Sequence, residues 1–261
     1  MSDSTKETAN ETAQDTFVSH LLELRSRLVK AISAWILALI PLITPPWFMA
    51  GKLYDFLSQP MIDALPTGSK MIATGVIAPF FIPLKIAMLT AFLIALPIIL
   101  YQAWAFVAPG LYKHEKRFVL PLIFTSTLLF FVGMAFCYFF VFKMVFTFIA
   151  QMAPASINVA PDIENYFNFI LGMFMAFGVA FETPVVVVVL VATGLVSIAT
   201  LTEIRRYVIV GAFIVAAVVT PPDVASQLAL AIPLCILYEI GIIAARIFVK
   251  PKAAETDTVT S

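Results

Sequence analysis

The stretch YQAWAFVAPGLYKHEKR, residues 101–117, decides how this chain is organised. A long apolar run ends here in three aromatic residues, Tyr101, Trp104 and Phe106, and the charged segment that follows contains Glu115 as its one acid among basic residues. Aromatic rings prefer the headgroup level of a bilayer, and basic residues collect in loops on the cytoplasmic side. The stretch therefore predicts an inner-face connection between two membrane spans.

Glu115 is a candidate recognition group, because a lone carboxylate among cations can bind a cationic ligand. An ordinary anchoring loop, in which Glu115 pairs with a neighbouring Lys or Arg, explains it equally well. Glu23 poses the same choice in the amphipathic helical pattern of residues 17–32, since Arg27 follows it four residues later. The residues alone leave both interpretations open.

The composition is typical of an integral membrane protein. Of the 261 residues, 61% are hydrophobic, including 24 Phe, whereas a soluble domain is about half apolar. Because 16 Lys and Arg balance 16 Asp and Glu, the net charge gives no reason to expect a nucleic-acid partner. The two Cys are far apart, and no nucleotide-binding motif or nucleophile arrangement is present, so we expect neither an enzyme nor a bound cofactor or metal.

Six apolar segments predict six transmembrane helices. They lie near residues 31–47, 79–106, 118–149, 166–192, 207–220 and 226–245. The fifth has 14 residues, or about 21 Å of helix against a hydrocarbon core of about 30 Å, so the turn after it must lie below the outer surface. Between the first two spans, the segment around Pro60 predicts a short amphipathic helix on the outer surface.

The distribution of basic residues predicts that both termini are cytoplasmic. Inner segments carry most of the Lys and Arg, including the pair Arg205 and Arg206, whereas the outer loops carry Lys52 and Lys70. We expect the polar ends, residues 1–16 and 249–261, to be disordered cytoplasmic tails flanking a membrane domain over residues 17–248.

Glu182 lies well inside the fourth apolar run, where a carboxyl group is expensive and must face the bundle or a wet cavity. Two functions are compatible with the acids of this chain. One is a proton- or ion-coupled secondary transporter that uses Glu182 and Glu239; the other is a receptor that binds a cationic segment of another protein with Glu23 and Glu115. No internal repeat of the kind common in transporters is visible, which favours the receptor.

Several segments carry a resemblance to a known family. They are HLLELRSRL (20–28), SQPMIDAL (58–65), MIATGVIAPFFIPLK (71–85), ILYQAWAFVAPGLYKHEKR (99–117), GMAFCYFFVF (133–142), MAFGVAFETPV (175–185) and VVTPPDVASQ (218–227). In this order and on six spans they resemble the TatC family, the receptor subunit of the twin-arginine protein translocase. The resemblance covers residues 17–248, nearly the whole chain.

The resemblance implies roles for particular residues. Positions that match those recognising the twin-arginine signal peptide are Glu23, Phe106 and Glu115, with Arg25 and Lys113 beside them. Further functionally sensitive positions are matched by Pro60, Tyr138, Glu182, Asp223 and Gln227. Of these, Glu182 matches the position that is linked to the membrane cavity and partner helices.

The resemblance also implies an all-α polytopic fold. Its six helices would form a concave cup with short fifth and sixth helices and with Glu182 facing the interior. It implies a receptor in the bacterial inner membrane that binds folded precursors, self-associates, assembles with the single-span proteins TatA and TatB, and depends on the proton-motive force. A planar guanidinium can engage a carboxylate through two hydrogen bonds, so two acids at one surface suit a paired-Arg address.

Overall fold

The structure, a computed structural model, describes residues 3–43, 48–65, 70–107, 116–152, 160–220 and 224–249. Within these ranges the chain is helical apart from short turns and one isolated β-bridge. The helices are α1 (Asp3–Ile43), α2 (Phe48–Ala64), α3 (Ala78–Val107), α4 (Lys116–Phe136), a π-helical segment (Cys137–Phe142), α5 (Lys143–Met152), α6 (Ile163–Phe181), α7 (Thr183–Ala192), α8 (Ile198–Glu203), α9 (Arg205–Val219) and α10 (Val224–Phe248).

The first helix includes most of the expected amino-terminal tail. Helix α1 begins at Asp3 and runs without a break into the first apolar segment. Its sequence contains neither Gly nor Pro before Pro41, so no helix breaker separates the polar segment from the apolar one. The second expected tail, from residue 250 onwards, lies outside the described residues.

Five helical stretches of the described chain are long and apolar enough to cross a membrane. They are Val18–Ile43, Ala78–Val107, Val119–Gln151, Ile163–Ala192 and Ser226–Phe248. These match five of the six expected spans. Helix α9, at the position of the fifth, has 15 residues, which is about 22 Å and shorter than the hydrocarbon core.

The sixth helix is not short, which corrects our expectation. Helix α10 has 25 residues, or about 37 Å, and can cross the hydrocarbon layer completely. Pro233 lies within it without ending it, because membrane helices tolerate the carbonyl that a proline leaves unpaired. Of the last two expected spans, therefore, only the fifth, α9, is shorter than the hydrocarbon core is thick.

Helices α1 and α3 run antiparallel. The indole Nε1 of Trp35 donates a hydrogen bond of 3.0 Å to the carbonyl oxygen of Met88, and the rings of His20 and Phe106 lie 5.2 Å apart between centroids. The later residue of α1 thus meets the earlier residue of α3. This pairing brings the first half of α1 to the carboxyl end of α3.

Two glycines determine how closely α4 and α6 pack. A Cβ atom at Gly133 would lie 2.6 Å from the carbonyl oxygen of Phe177, and one at Gly178 would overlap the ring of Phe130. Gly172, Ala176 and Ala180 are also small residues spaced by four on α6, a spacing that permits close helix packing. Gly172 has no neighbour within 4 Å of such an added atom, so a different face of α6 meets α4. Small-residue spacing does not by itself say which face finds a partner.

The segments that precede α3 and α6 are joined by the bridge between Ile72 and Asp162. Asp162 Oδ1 accepts hydrogen bonds from the backbone N–H and the hydroxyl group of Thr74, at 3.1 and 2.7 Å. Its Oδ2 accepts from the N–H of Asn165 at 3.1 Å and caps the start of α6. The Thr74 hydroxyl group, with the N–H groups of Asn165 and Thr74, holds the pKa of Asp162 below its usual value.

Candidate functional site

Glu23 lies on α1 and is engaged by Arg27 one turn later. Arg27 donates from Nη2 at 2.6 Å and from Nε at 3.0 Å, both to Oε1 of Glu23. The side chain of Glu23 remains 38% exposed, so another group can reach it. Arg25 is exposed on the same helix. The pairing with Arg27, which the sequence left open, is present.

Phe106 contacts α1 close to Glu23. Its ring packs on His20 with 5.2 Å between the centroids and 39° between the planes. His20 and Glu23 are three residues apart on one helix and are neighbours on its surface. Because the sequence predicts that this end of α3 lies at the inner face of a membrane, we call His20, Glu23, Arg27 and Phe106 the inner-face surface. The antiparallel packing of α1 and α3 creates it from two distant parts of the sequence.

The other two residues expected at this surface, Lys113 and Glu115, lie outside the described residues. The described part of α3 ends at Val107, directly after Phe106. The structure therefore brings together Glu23 and Phe106 and leaves the contribution of the following loop as a prediction.

Glu182 lies at the junction between α6 and α7 and is buried, with 7% of its surface exposed. Pro184 follows two residues later and cannot donate a backbone hydrogen bond, which explains a break at this point. The hydroxyl group of Ser126 on α4 donates to Oε2 of Glu182. Ser126 in turn accepts a hydrogen bond of 2.9 Å from Nε1 of Trp104 on α3.

Three side chains are joined in this chain of hydrogen bonds. The indole N–H of Trp104 can only donate, so the Ser126 oxygen accepts from it and keeps its own proton available to donate to Glu182. The other carboxyl oxygen, Oε1, is buried and has no hydrogen-bond partner among the described residues. An intramembrane carboxyl group with half of its hydrogen-bonding capacity unused is a functional candidate.

Glu182 lies beside an apolar groove that it does not line. An apolar groove of about 480 Å³ is lined by residues from α6, α7, α9 and α10, among them Val179, Thr183, Val215 and Leu230. Thr183 reaches the groove, whereas Glu182 does not line it and contacts α4 instead. Successive residues of a helix point about 100° apart, which explains why adjacent side chains at the junction reach different surroundings.

Pro60 and Tyr138 both affect the hydrogen bonding of one carbonyl group in α2. Because Pro60 has no backbone N–H, the carbonyl of Phe56 in α2 lacks its helical donor. The hydroxyl group of Tyr138, in the π-helical segment, donates to that oxygen at 2.7 Å. The two rings of Phe56 and Tyr138 also stack, with 4.5 Å between centroids. Tyr166 donates to the next carbonyl, that of Leu57, at 2.7 Å.

Gln227 joins the two last helices. Its side-chain Nε2 donates to the carbonyl oxygen of Phe213 at 3.3 Å and so connects α10 to α9. Asp223 lies outside the described residues. At the other end of the same pair, Arg205 forms an ion pair of 2.8 Å with Glu239. We had considered Glu239 for ion transport. Its ion pair with Arg205 accounts for a charged residue in this helix without a transport role.

The sequence interpretation missed three residues of these sites. Ser126 was not singled out, although a polar residue in an apolar run was a usable signal. Trp104 was interpreted only as an interfacial aromatic residue, whereas the structure buries it and gives its N–H a partner. Tyr166 gave no signal beyond its place at the start of a span.

Comparisons with known proteins agree with these features. The sequence model of the family described as "Sec-independent protein translocase protein (TatC)" matches residues 19–233. The chain is 47% identical over 232 residues to the TatC protein of Escherichia coli K12, covering 89% of this chain and 88% of the relative. It is 43% identical over 239 residues to that of Haemophilus influenzae, covering 92% and 91%.

A solved crystal structure has a similar fold. The crystal structure described as the twin arginine translocase receptor TatC superposes with a TM-score of 0.74 and 36% sequence identity, covering 87% of this chain and 98% of that one. Matches of this identity and coverage extend over the membrane helices from α1 to α10. The chain belongs to the TatC family of Sec-independent protein translocases.

Proposed function

We propose that this protein is the receptor of the twin-arginine pathway and binds the signal peptides of folded precursors at the inner-face surface. The observation that carries the proposal is the packing of Phe106 on His20, one helical turn from the exposed carboxyl group of Glu23. An aromatic ring beside a carboxylate suits an arginine side chain, which can stack on the first and hydrogen-bond to the second.

The pair Glu23 and Arg27 does not prevent such binding. An exposed ion pair spaced by four residues on a helix is worth only about 0.3–0.5 kcal/mol, whereas a hydrogen bond to a charged group contributes roughly 1.5–3 kcal/mol. A peptide guanidinium that engages both Glu23 and the Phe106 ring can therefore displace Arg27. A lysine offers a point charge without the planar fork and is the weaker ligand.

The second acid of the site is Glu115, and Arg25 and Lys113 flank the two carboxylates in our proposal. Two separated acids can take one guanidinium each, which explains selection for a pair of arginines. In the membrane setting we propose, the surface faces the cytoplasm, both termini are cytoplasmic, and the protein lies in a bacterial inner membrane. Copies of the receptor associate in the complex.

Assembly with the single-span proteins TatA and TatB completes the proposed function. The apolar groove between α6, α7, α9 and α10 supports this role, because it offers an apolar surface beside the short helix α9. A bilayer must thin or admit water beside a helix of 15 residues, which eases entry of a partner helix that carries a polar residue. Asp223, Gln227 and Pro60 belong to this assembly role in our proposal.

The test compares binding of a twin-Arg signal peptide and its twin-Lys variant to the purified protein in lipid nanodiscs. We expect the wild type to prefer the twin-Arg peptide, and Glu23→Ala or Glu115→Ala to weaken its binding by roughly 10- to 150-fold, the equivalent of 1.5–3 kcal/mol. Glu203→Ala is the matched control, because Glu203 is an exposed acid on α8 outside the inner-face surface. Unchanged affinity in the Glu23→Ala/Glu115→Ala double variant would refute the proposal.

A further inference from the structure

The carboxyl end of α3 contacts two sites at once. Phe106 belongs to the inner-face surface through His20. Two residues earlier, Trp104 donates to Ser126, which donates to Glu182. Residues two apart on a helix point about 200° apart, so these two side chains leave α3 on nearly opposite sides. One turn of helix thus touches both the proposed peptide surface and the intramembrane acid.

The contacts on the Glu182 side are buried and directional. Ser126 is fully buried, and Trp104 and Glu182 are 7% exposed each. Trp104 packs with Val185 and Val189 of α7, immediately after the break at Glu182. The indole therefore holds the segment after the break by packing and the carboxyl group by way of Ser126. A displacement of Trp104 would disturb both.

The helix break at Glu182 leaves hydrogen-bonding groups whose partners can change. Its Oε1 is buried without a hydrogen-bond partner among the described residues, and the neighbouring Thr183 lines the apolar groove. At this junction the hydroxyl group of Thr183 donates to the carbonyl of Ala180 at 2.6 Å, the oxygen that Pro184 leaves without its helical donor. A helix break with side-chain hydrogen bonds is a place where a small rotation exchanges one set of partners for another.

We propose that Trp104 and Ser126 are positioning residues that couple the inner-face surface to Glu182. Binding of an arginine-containing peptide against Phe106 shifts the last turn of α3, moves the indole of Trp104, and thereby changes the hold of Ser126 on the carboxyl group of Glu182. The inference rests on the proposed function, because it takes the inner-face surface as the peptide site. Because such coupling is reciprocal, a change in the hydrogen bonding of Glu182 must in return change the affinity for the peptide.

The first experiment measures affinity for the twin-Arg peptide in nanodiscs. Trp104→Phe keeps a ring and removes the N–H, and Ser126→Ala removes the hydroxyl group. Neither residue belongs to the inner-face surface, yet we expect each change to weaken binding by at least fivefold, the lower range of allosteric coupling. In a Glu182→Ala background, Ser126→Ala should have no further effect. Unchanged affinity in both single variants, or effects that multiply independently, would overturn the proposal.

The matched control is Tyr166→Phe. Tyr166 is also buried and also donates one hydrogen bond from its side chain, but to Leu57 on the outer side. The substitution Tyr166→Phe should lower the midpoint of thermal unfolding while leaving peptide affinity unchanged. An equal loss of affinity in Tyr166→Phe would mean that general loosening of the bundle explains the result, and the coupling would be rejected.

A second experiment does not need the peptide and separates this inference from the proposed function. Thermal unfolding midpoints are compared for Phe106→Leu, Glu182→Gln and the double variant. Distant and independent sites give additive changes, whereas residues linked through Trp104 and Ser126 do not. The coupling is supported if the midpoint changes of Phe106→Leu and Glu182→Gln are not additive in the wild-type background but become additive when Ser126→Ala is also present. It is overturned if the two changes are additive in the wild-type background, whether or not the wild type binds the peptide.

Discussion

The hydroxyl group of Tyr138 donates a hydrogen bond of 2.7 Å to the carbonyl oxygen of Phe56. This oxygen is the one that Pro60, four residues later in α2, leaves without a helical donor. The π-helical segment that contains Tyr138 therefore completes the hydrogen bonding of α2. Two positions that the sequence resemblance marked separately act on a single carbonyl group.

Removing this hydroxyl group should loosen α2. We expect Tyr138→Phe to lower the free energy of unfolding by roughly 1 kcal/mol, because the Phe56 carbonyl loses its donor while the ring stacking persists. In a Pro60→Ala background the new N–H supplies that carbonyl, so the same change should cost clearly less. Thermal unfolding of the four proteins measures the difference. An equal loss in both backgrounds would show that the hydrogen bond to Phe56 is not what Tyr138 contributes.

The close approach of α4 and α6 should make Gly133 sensitive to even one added carbon. Gly133→Ala places a Cβ 2.6 Å from the carbonyl oxygen of Phe177, and backbone atoms cannot move aside cheaply, so we expect destabilisation of about 1–3 kcal/mol. Gly172→Ala is the control, since nothing lies within 4 Å of its added atom. Comparable stability of the two variants, measured by resistance to thermal unfolding, would contradict this packing.

The link between the segments that precede α3 and α6 should weaken in acid. Hydrogen bonds from Thr74 and Asn165 lower the pKa of Asp162, so the folded state binds this proton less readily than the unfolded state does. Its stabilising contribution is therefore present at neutral pH and is lost as the pH falls below about 4, through the lowered pKa. Thermal unfolding across the acidic range measures it. Asp162→Asn retains a hydrogen-bond acceptor but does not titrate, and its stability should depend less steeply on pH; an identical pH profile would disprove the role of Asp162.

Replacement of Phe106 tests whether its ring does more than anchor the helix at the membrane surface. We expect Phe106→Leu to impair export of a twin-Arg substrate, because Leu keeps apolar volume but cannot stack on His20 or on a guanidinium group. Export assays in cells that lack their own copy measure the loss. Phe124→Leu is the control, since Phe124 is 70% exposed on α4. Wild-type export by Phe106→Leu would leave only the anchoring role.

The sequence alone determined the class of protein, the approximate limits of five spans and the reduced length of α9. These properties follow from the transfer of each segment from water into hydrocarbon, which depends on that segment's own residues and their periodicity. The resemblance added the family, which the comparisons confirm.

Only the tertiary structure decided which side chains meet. The contacts of Phe106 with His20, Tyr138 with Phe56, and Ser126 with Glu182 each join distant parts of the sequence. Hydropathy could not predict them, since lipid is as apolar as the side chains and does not select which face of a helix turns inward. Close packing at residues such as Gly133, together with the need of buried polar groups for partners, makes that selection, and both arise only when the helices come together.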